Sequence, residues 1–184
     1  MPMTMQHHMP NTPLVDSRER LRTSLRHLEA VQAGGRHWAL AEAHHTVAGA
    51  YRELGAWPSA LANLQAARRW AQAGGARDLD IDIACTLVET LAGAADAAEH
   101  QQRGGGRPLR EQARDVVFDT AQELARVADA QREVGVLLRL SDVLDRFGDR
   151  DDATQLQMRA LQRTVGETPV TTPRAVDAAA SRAH

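Results

Sequence analysis

Alanine occupies 33 of the 184 positions, and this limits the fold more than any other feature of the chain. It is the strongest helix former, while strand formers are scarce: isoleucine occurs twice and aromatic residues make up 3% of the sequence. The chain therefore reads as all-α. A methyl side chain buries little, so helices rich in alanine form a core only if their backbones approach closely. Leucine, isoleucine, valine and phenylalanine together fall just short of a fifth of the residues, a level that borders on disorder. A net charge of −2, however, supplies none of the self-repulsion that keeps chains unfolded.

The same composition narrows the function. All 22 basic residues are arginine and they are balanced by 24 acidic ones, which argues against a general nucleic-acid binder. No helix with basic flanks suggests a DNA-reading element. One cysteine, Cys85, allows no internal disulfide, and no apolar run approaches the roughly 18–20 residues that span a bilayer. The opening MPMTMQHHMP lacks the charged start and apolar stretch of a signal peptide. The expectation is a cytoplasmic protein with no membrane contact and no cofactor.

Apolar spacing and glycine punctuation divide the chain into seven helices. Residues 1–15, rich in proline, read as a flexible lead, and the helical domain spans 16–165. Asp16 offers an N-cap with Glu19 three residues on, and Leu21, Leu25, Leu28 and Val31 continue the first helix to Gly34-Gly35. A second helix runs from His37 to Leu54, and a third follows Trp57-Pro58 and ends at Gly74-Gly75. The fourth opens on Asp78, Asp80 and Asp82, which suit the positive end of a helix dipole, and reaches His100. Residues 101–108, QQRGGGRP, read as a loop. Helices over 109–128, 132–147 and 151–165 follow, the last two ending at Gly148 and Gly166. Residues 166–184 read as a disordered tail, with Thr172-Pro173 a weak helix start. Short connections favour antiparallel neighbours, so helices two and three, four and five, and six and seven should pair as hairpins.

Residues 41–75 repeat a pattern found again later in the chain. His44, Val47, Ala48 and Tyr51 are followed by the turn Leu54-Gly55-Ala56-Trp57, then Ala60, Leu64 and Ala67. In the copy over 134–165, Leu137, Leu140, Ser141 and Leu144 precede Phe147-Gly148-Asp149, with Ala153 and Ala160 after it. A middle copy over 81–129 keeps Ala84, Leu87, Val88 and Leu91 but replaces the glycine turn with a longer helix and the 101–108 loop. The pattern resembles the tetratricopeptide repeat, with His44 and Leu137 where that family carries tryptophan, and without its closing proline. The resemblance implies a short right-handed superhelix of three hairpins behind an N-terminal helix. It also implies a non-enzymatic adaptor or regulatory module that binds a protein or peptide segment in a groove lined by the first helix of each hairpin. The groove residues are then Glu42, His45, Thr46 and Arg52, Asp82, Thr86 and Glu89 with Cys85 beside them, and Arg139, Asp142 and Asp145 with Leu138.

Other chemistry fits these residues less well. Glu42-x-x-His45 has the spacing by which helical bundles hold paired metals, but such sites need a second pair and the chain offers none. A helical metalloprotein centred on Glu42 and His45 is one alternative, and a ligand-sensing regulatory module is another. Cys85 reads as a buried free thiol, and Gly104-Gly105-Gly106 as a hairpin tip without the Lys-Ser or Lys-Thr of a phosphate loop. Two charged stripes, Asp115, Asp119 and Glu123 and then Arg132, Arg139 and Arg146, read as solvated faces. At the C-terminal end, Leu156, Leu161 and Val165 are expected to pack on helix six with little to cover them. Self-association through helices six and seven follows, or else coverage by the tail.

Overall fold

The computed structural model describes residues 12–102, 104–127 and 129–166. The proposed lead up to residue 11 and the tail from residue 167, with its Thr172-Pro173 start, lie outside them. Among the described residues there are seven helices and no strand: α1 (Thr12–Gln32), α2 (His37–Glu53), α3 (Trp57–Ala73), α4 (Arg77–His100), α5 (Gly106–Leu124), α6 (Ala130–Phe147) and α7 (Arg150–Gly166).

Several boundaries differ from the sequence reading. Helix α1 begins at Thr12, so Asp16 sits a turn inside it rather than at its cap. The loop expected over 101–108 is shorter, because α5 already starts at Gly106 and carries Pro108 in its first turn. Proline costs little there, since the first-turn N–H groups have no intrahelical acceptor. Helix α6 begins at Ala130 because Asp129 accepts a bond from the Arg132 amide at 3.0 Å and caps it. It ends at Gly148, whose φ of +83° supplies the left-handed residue that closes a helix.

Consecutive helices pair as α2 with α3, α4 with α5 and α6 with α7, and α1 packs on α2. Each hairpin also meets the next through α3 against α4 and α5 against α6. The first helices form a row, α2 beside α4 and α4 beside α6. This is the packing of a helical-repeat-like fold. The small residues permit it: Ala48, Ala60 and Ala67 are fully buried, and Leu64 is buried in one cluster with Ala48 and Ala67. Helix α4 is the centre, with Ile81, Ile83, Val88 and Leu91 buried in one cluster with Leu124, Leu137 and Leu144. A smaller cluster joins Leu28 of α1 to Leu40, Ala43 and Val47 of α2.

The outer end corrects one expectation. On α7, Leu156 is buried against the core together with Ala153 and Ala160, whereas Leu161 and Val165 are exposed. The core-facing residues lie on the opposite side of the helix from Met158, Leu161 and Val165, so one helix cannot turn both sets inward.

Candidate functional site

The row of first helices leaves a polar face, and the residues on it are organised by ion pairs. Asp82, Glu89 and Asp96 recur every seven residues along α4, and Arg132, Arg139 and Arg146 do the same along α6. Seven residues are close to two helical turns, so each set forms one stripe. The stripes meet in register: Arg132 Nη2 lies 2.9 Å from Asp82, Arg139 Nη2 2.6 Å from Glu89, and Arg146 Nη2 2.6 Å from Asp96. Equal spacing on both partners requires α4 and α6 to run parallel. The arginine stripe read from sequence as a solvated face is therefore a connection between helices. The matching period in α4 was visible in the sequence, but the offset of 50 residues that joins the two sets was not.

Helix α2 joins the same network. Arg52 Nη2 lies 3.5 Å from Glu89, so Glu89 bridges arginines from both neighbouring helices. His45 Nε2 lies 3.0 Å from Thr86 Oγ1. The Thr86 hydroxyl donates to the Asp82 carbonyl at 3.0 Å, which leaves its oxygen to accept from His45. The Nε2 atom of His45 thus carries the proton. Burial lowers the pKa of His45 from its ordinary 6.5, Arg52 and Arg139 add to that effect, and Asp82 opposes it.

Of the residues expected in a groove, the structure brings His45 to Thr86, and Arg52 and Arg139 to Glu89, while Asp82, one turn before Thr86, pairs with Arg132. Glu42, Thr46, Asp142 and Asp145 are exposed on the outer helices of the row, with Thr46 donating to the Glu42 carbonyl at 2.9 Å. Thr86 is largely buried. Cys85 does not line the face: it points into the core, where burial pushes its thiol up to about 11. A thiol so placed is a poor nucleophile near neutral pH.

Glu42 and His45 do not converge with further ligands, and among the described residues no three His, Cys, Asp or Glu side chains gather as a metal site. His44 instead bonds Asn63 of α3 at 2.9 Å. Other charged clusters tie helices together away from this face. Asp80 is buried between Arg68, at 3.0 Å, and Gln72. Glu133 is buried against Arg159, at 2.6 Å, and Arg163, at 2.9 Å, while Arg159 also donates to the Ala121 carbonyl near the end of α5. Arg114 grips Asp149 with two bonds and, like Arg110, lies over the Phe147 ring.

One feature on this side was not read from the sequence. A cleft of about 400 Å3 opens between α1 and α2, with Thr46, Gly49 and Glu53 on one wall and Asp16, Glu19 and Arg20 on the other. The two walls lie too far apart in sequence to suggest a shared space.

Comparison with protein-family models, curated proteins and solved structures finds no significant match to this chain. Among the described residues, no helix is long and apolar enough to cross a membrane.

Proposed function

We propose that the chain is a non-enzymatic, tetratricopeptide-like interaction module whose α2–α4–α6 face binds a protein or peptide segment. The observation that carries this reading is the parallel register of α4 and α6. Equivalent helices of successive hairpins lie side by side in a repeat array, and their outward faces then form one continuous surface. Here that surface is polar, anchored by ion pairs, and free of packing duties at Glu42, Asp142 and Asp145. Its charges hold the helices in place, and the exposed carboxylates of Glu42, Asp142 and Asp145 are left for a partner.

Photo-crosslinking tests the reading. Benzoylphenylalanine placed at Asp142, on the face, is expected to give a discrete protein adduct in the native cell, and the same group at Phe118, exposed on α5, is expected to give none. The Arg139→Glu change should suppress the Asp142 adduct. Adducts arising only from position 118, or none from position 142, would refute the assignment.

A further inference from the structure

The first and last hairpins share one template. Their closing glycines, Gly55 and Gly148, stand 93 residues apart, and the same offset carries α3 (Trp57–Ala73) onto α7 (Arg150–Gly166). It also carries Ala60 and Ala67 onto Ala153 and Ala160. The offset therefore identifies the positions by which a hairpin meets the next one. In the first hairpin four side chains reach α4: His45 bonds Thr86, Arg52 pairs with Glu89, and Arg68 and Gln72 hold Asp80. Their counterparts in the last hairpin are Leu138, Asp145, Leu161 and Val165. All four are exposed, and three polar contacts have become apolar side chains: Leu138, Leu161 and Val165 are 44%, 56% and 63% exposed.

The chemistry of this end sets it apart from the other. Among the described helices, α7 packs on α6 alone. Between Thr154 and Val165 every exposed side chain of α7 is uncharged, threonines and glutamines flanking Met158, Leu161 and Val165. The two arginines of that stretch, Arg159 and Arg163, reach back to Glu133 on α6. A quarter of the chain is charged, so a bare helix face without charge is unlike the rest of the surface. The centres of protein interfaces are depleted in charge in the same way. Helix α1, at the opposite end, instead exposes Arg18, Glu19, Arg22, Arg26 and Glu29.

We propose that a second copy of this chain covers the open end, two α6–α7 hairpins packing about a two-fold axis with α7 antiparallel to its counterpart. Helix α3 is covered by α4, which returns along it after a three-residue turn, and a two-fold-related α7 offers the same kind of antiparallel helix. A neutral face meets its own copy without like-charge repulsion. Thr154, Met158, Leu161 and Val165 are spaced by four, three and four residues and form one seam. In that seam Met158 meets the partner's Leu161, and Thr154 meets the partner's Val165. Head-to-tail stacking would set the seam against the charges of α1. Residues 167–184 hold only Val170 and Val176 as large apolar side chains, beside two prolines, a poor match for it. An isologous contact closes on itself, so assembly stops at the pair. The pair then carries two α2–α4–α6 faces, and its formation does not depend on what those faces bind.

Disulfide trapping tests the arrangement. Cys85 is the one cysteine of the chain and is buried, so introduced cysteines report alone. Chains carrying Thr154→Cys are mixed with chains carrying Val165→Cys and oxidised. The mixture should yield a linked dimer, and either variant by itself should not. The two positions lie about 16 Å apart along a helix, so antiparallel pairing holds identical cysteines beyond the roughly 7 Å a disulfide spans. Sedimentation of the unmodified chain should show monomer and dimer only. Leu161→Arg and Leu138→Glu should each raise the dissociation constant at least about tenfold, because each buries a charge without a partner. Both positions are exposed, so the thermal midpoint of the dilute protein should not move. Arg26→Ala, at the α1 end, should leave association unchanged. Linkage within either variant alone, assembly beyond a dimer, or weakening by Arg26→Ala would overturn the two-fold pairing. A monomer at every concentration would overturn it as well, whether a cysteine at position 161 then labels quickly on a bare face or slowly beneath its own chain.

Discussion

At the scale of single residues, burial decides which charged groups matter. Glu133 is only 5% exposed yet ionic, held by two arginines of α7 that also reach water. Glu133→Ala removes the carboxylate that both arginines hold, and although the guanidinium groups regain water, the loss of these charged bonds is expected to destabilise the fold by about 1.5–3 kcal/mol. Urea unfolding measures it, and a loss below about 1 kcal/mol would place the cluster with ordinary surface pairs. His45 behaves differently. Its folded pKa lies below the 6.5 of the free side chain, so between the two values the unfolded chain holds a proton that the fold rejects. Stability should therefore fall as pH drops through 6.5 and level off below the folded pKa. His45→Gln, which keeps a donor for Thr86, should flatten that part of the stability profile, whereas an unchanged slope would assign it to another group.

At the scale of helices, the same substitution has opposite effects at two glycines. Gly135 in α6 faces open space, so Gly135→Ala gains helix propensity and should stabilise the protein by about 0.5–1 kcal/mol. Gly93 in α4 lies beneath the ring of Trp57, and a Cβ there would stand 2.9 Å from it. Gly93→Ala must displace the indole that opens α3, and overpacking of this kind costs about 1–3 kcal/mol. Thermal unfolding of the two variants should move the midpoint in opposite directions. Shifts of the same sign would mean that the Trp57 ring yields without strain.

At the scale of the molecule, packing is uneven from centre to edge. Among the described helices, α4 touches α2, α3, α5 and α6, whereas α1 packs on α2 alone. Hydrogen exchange should be slowest over the buried stretch from Ile81 to Ala95 and fastest in α1. Cys85 should react with a thiol reagent only at the rate of the slowest amides, because both require α4 to open. Prompt labelling in native buffer would contradict this. At the other edge, Met158, Leu161 and Val165 form an outward apolar stripe on α7. Light scattering is expected to show association at high protein concentration, reversed by Leu161→Lys. A monomer at every concentration would remove the stripe from consideration as a contact.

What the sequence determined by itself is local. Alanine content, three-and-four spacing of leucines and glycine stops specify seven helices, because helix propensity and termination act within a few residues. The pairing of neighbours was legible for the same reason, since short connections leave adjacent helices few alternatives. Two of the boundaries that moved, at Thr12 and Gly106, lie at first turns, where unpaired amides tolerate residues that would break a helix elsewhere. Tertiary structure alone decided the rest. Whether Arg132, Arg139 and Arg146 face water or the carboxylates of α4 depends on the parallel placement of two helices separated by a hairpin. Whether Leu161 packs inward with Leu156 depends on the side of α7 that α6 occupies. The cleft beside Gly49 exists only when α1 lies across α2. Each of these is a relation between distant segments, set by close packing of the whole core rather than by any run of residues.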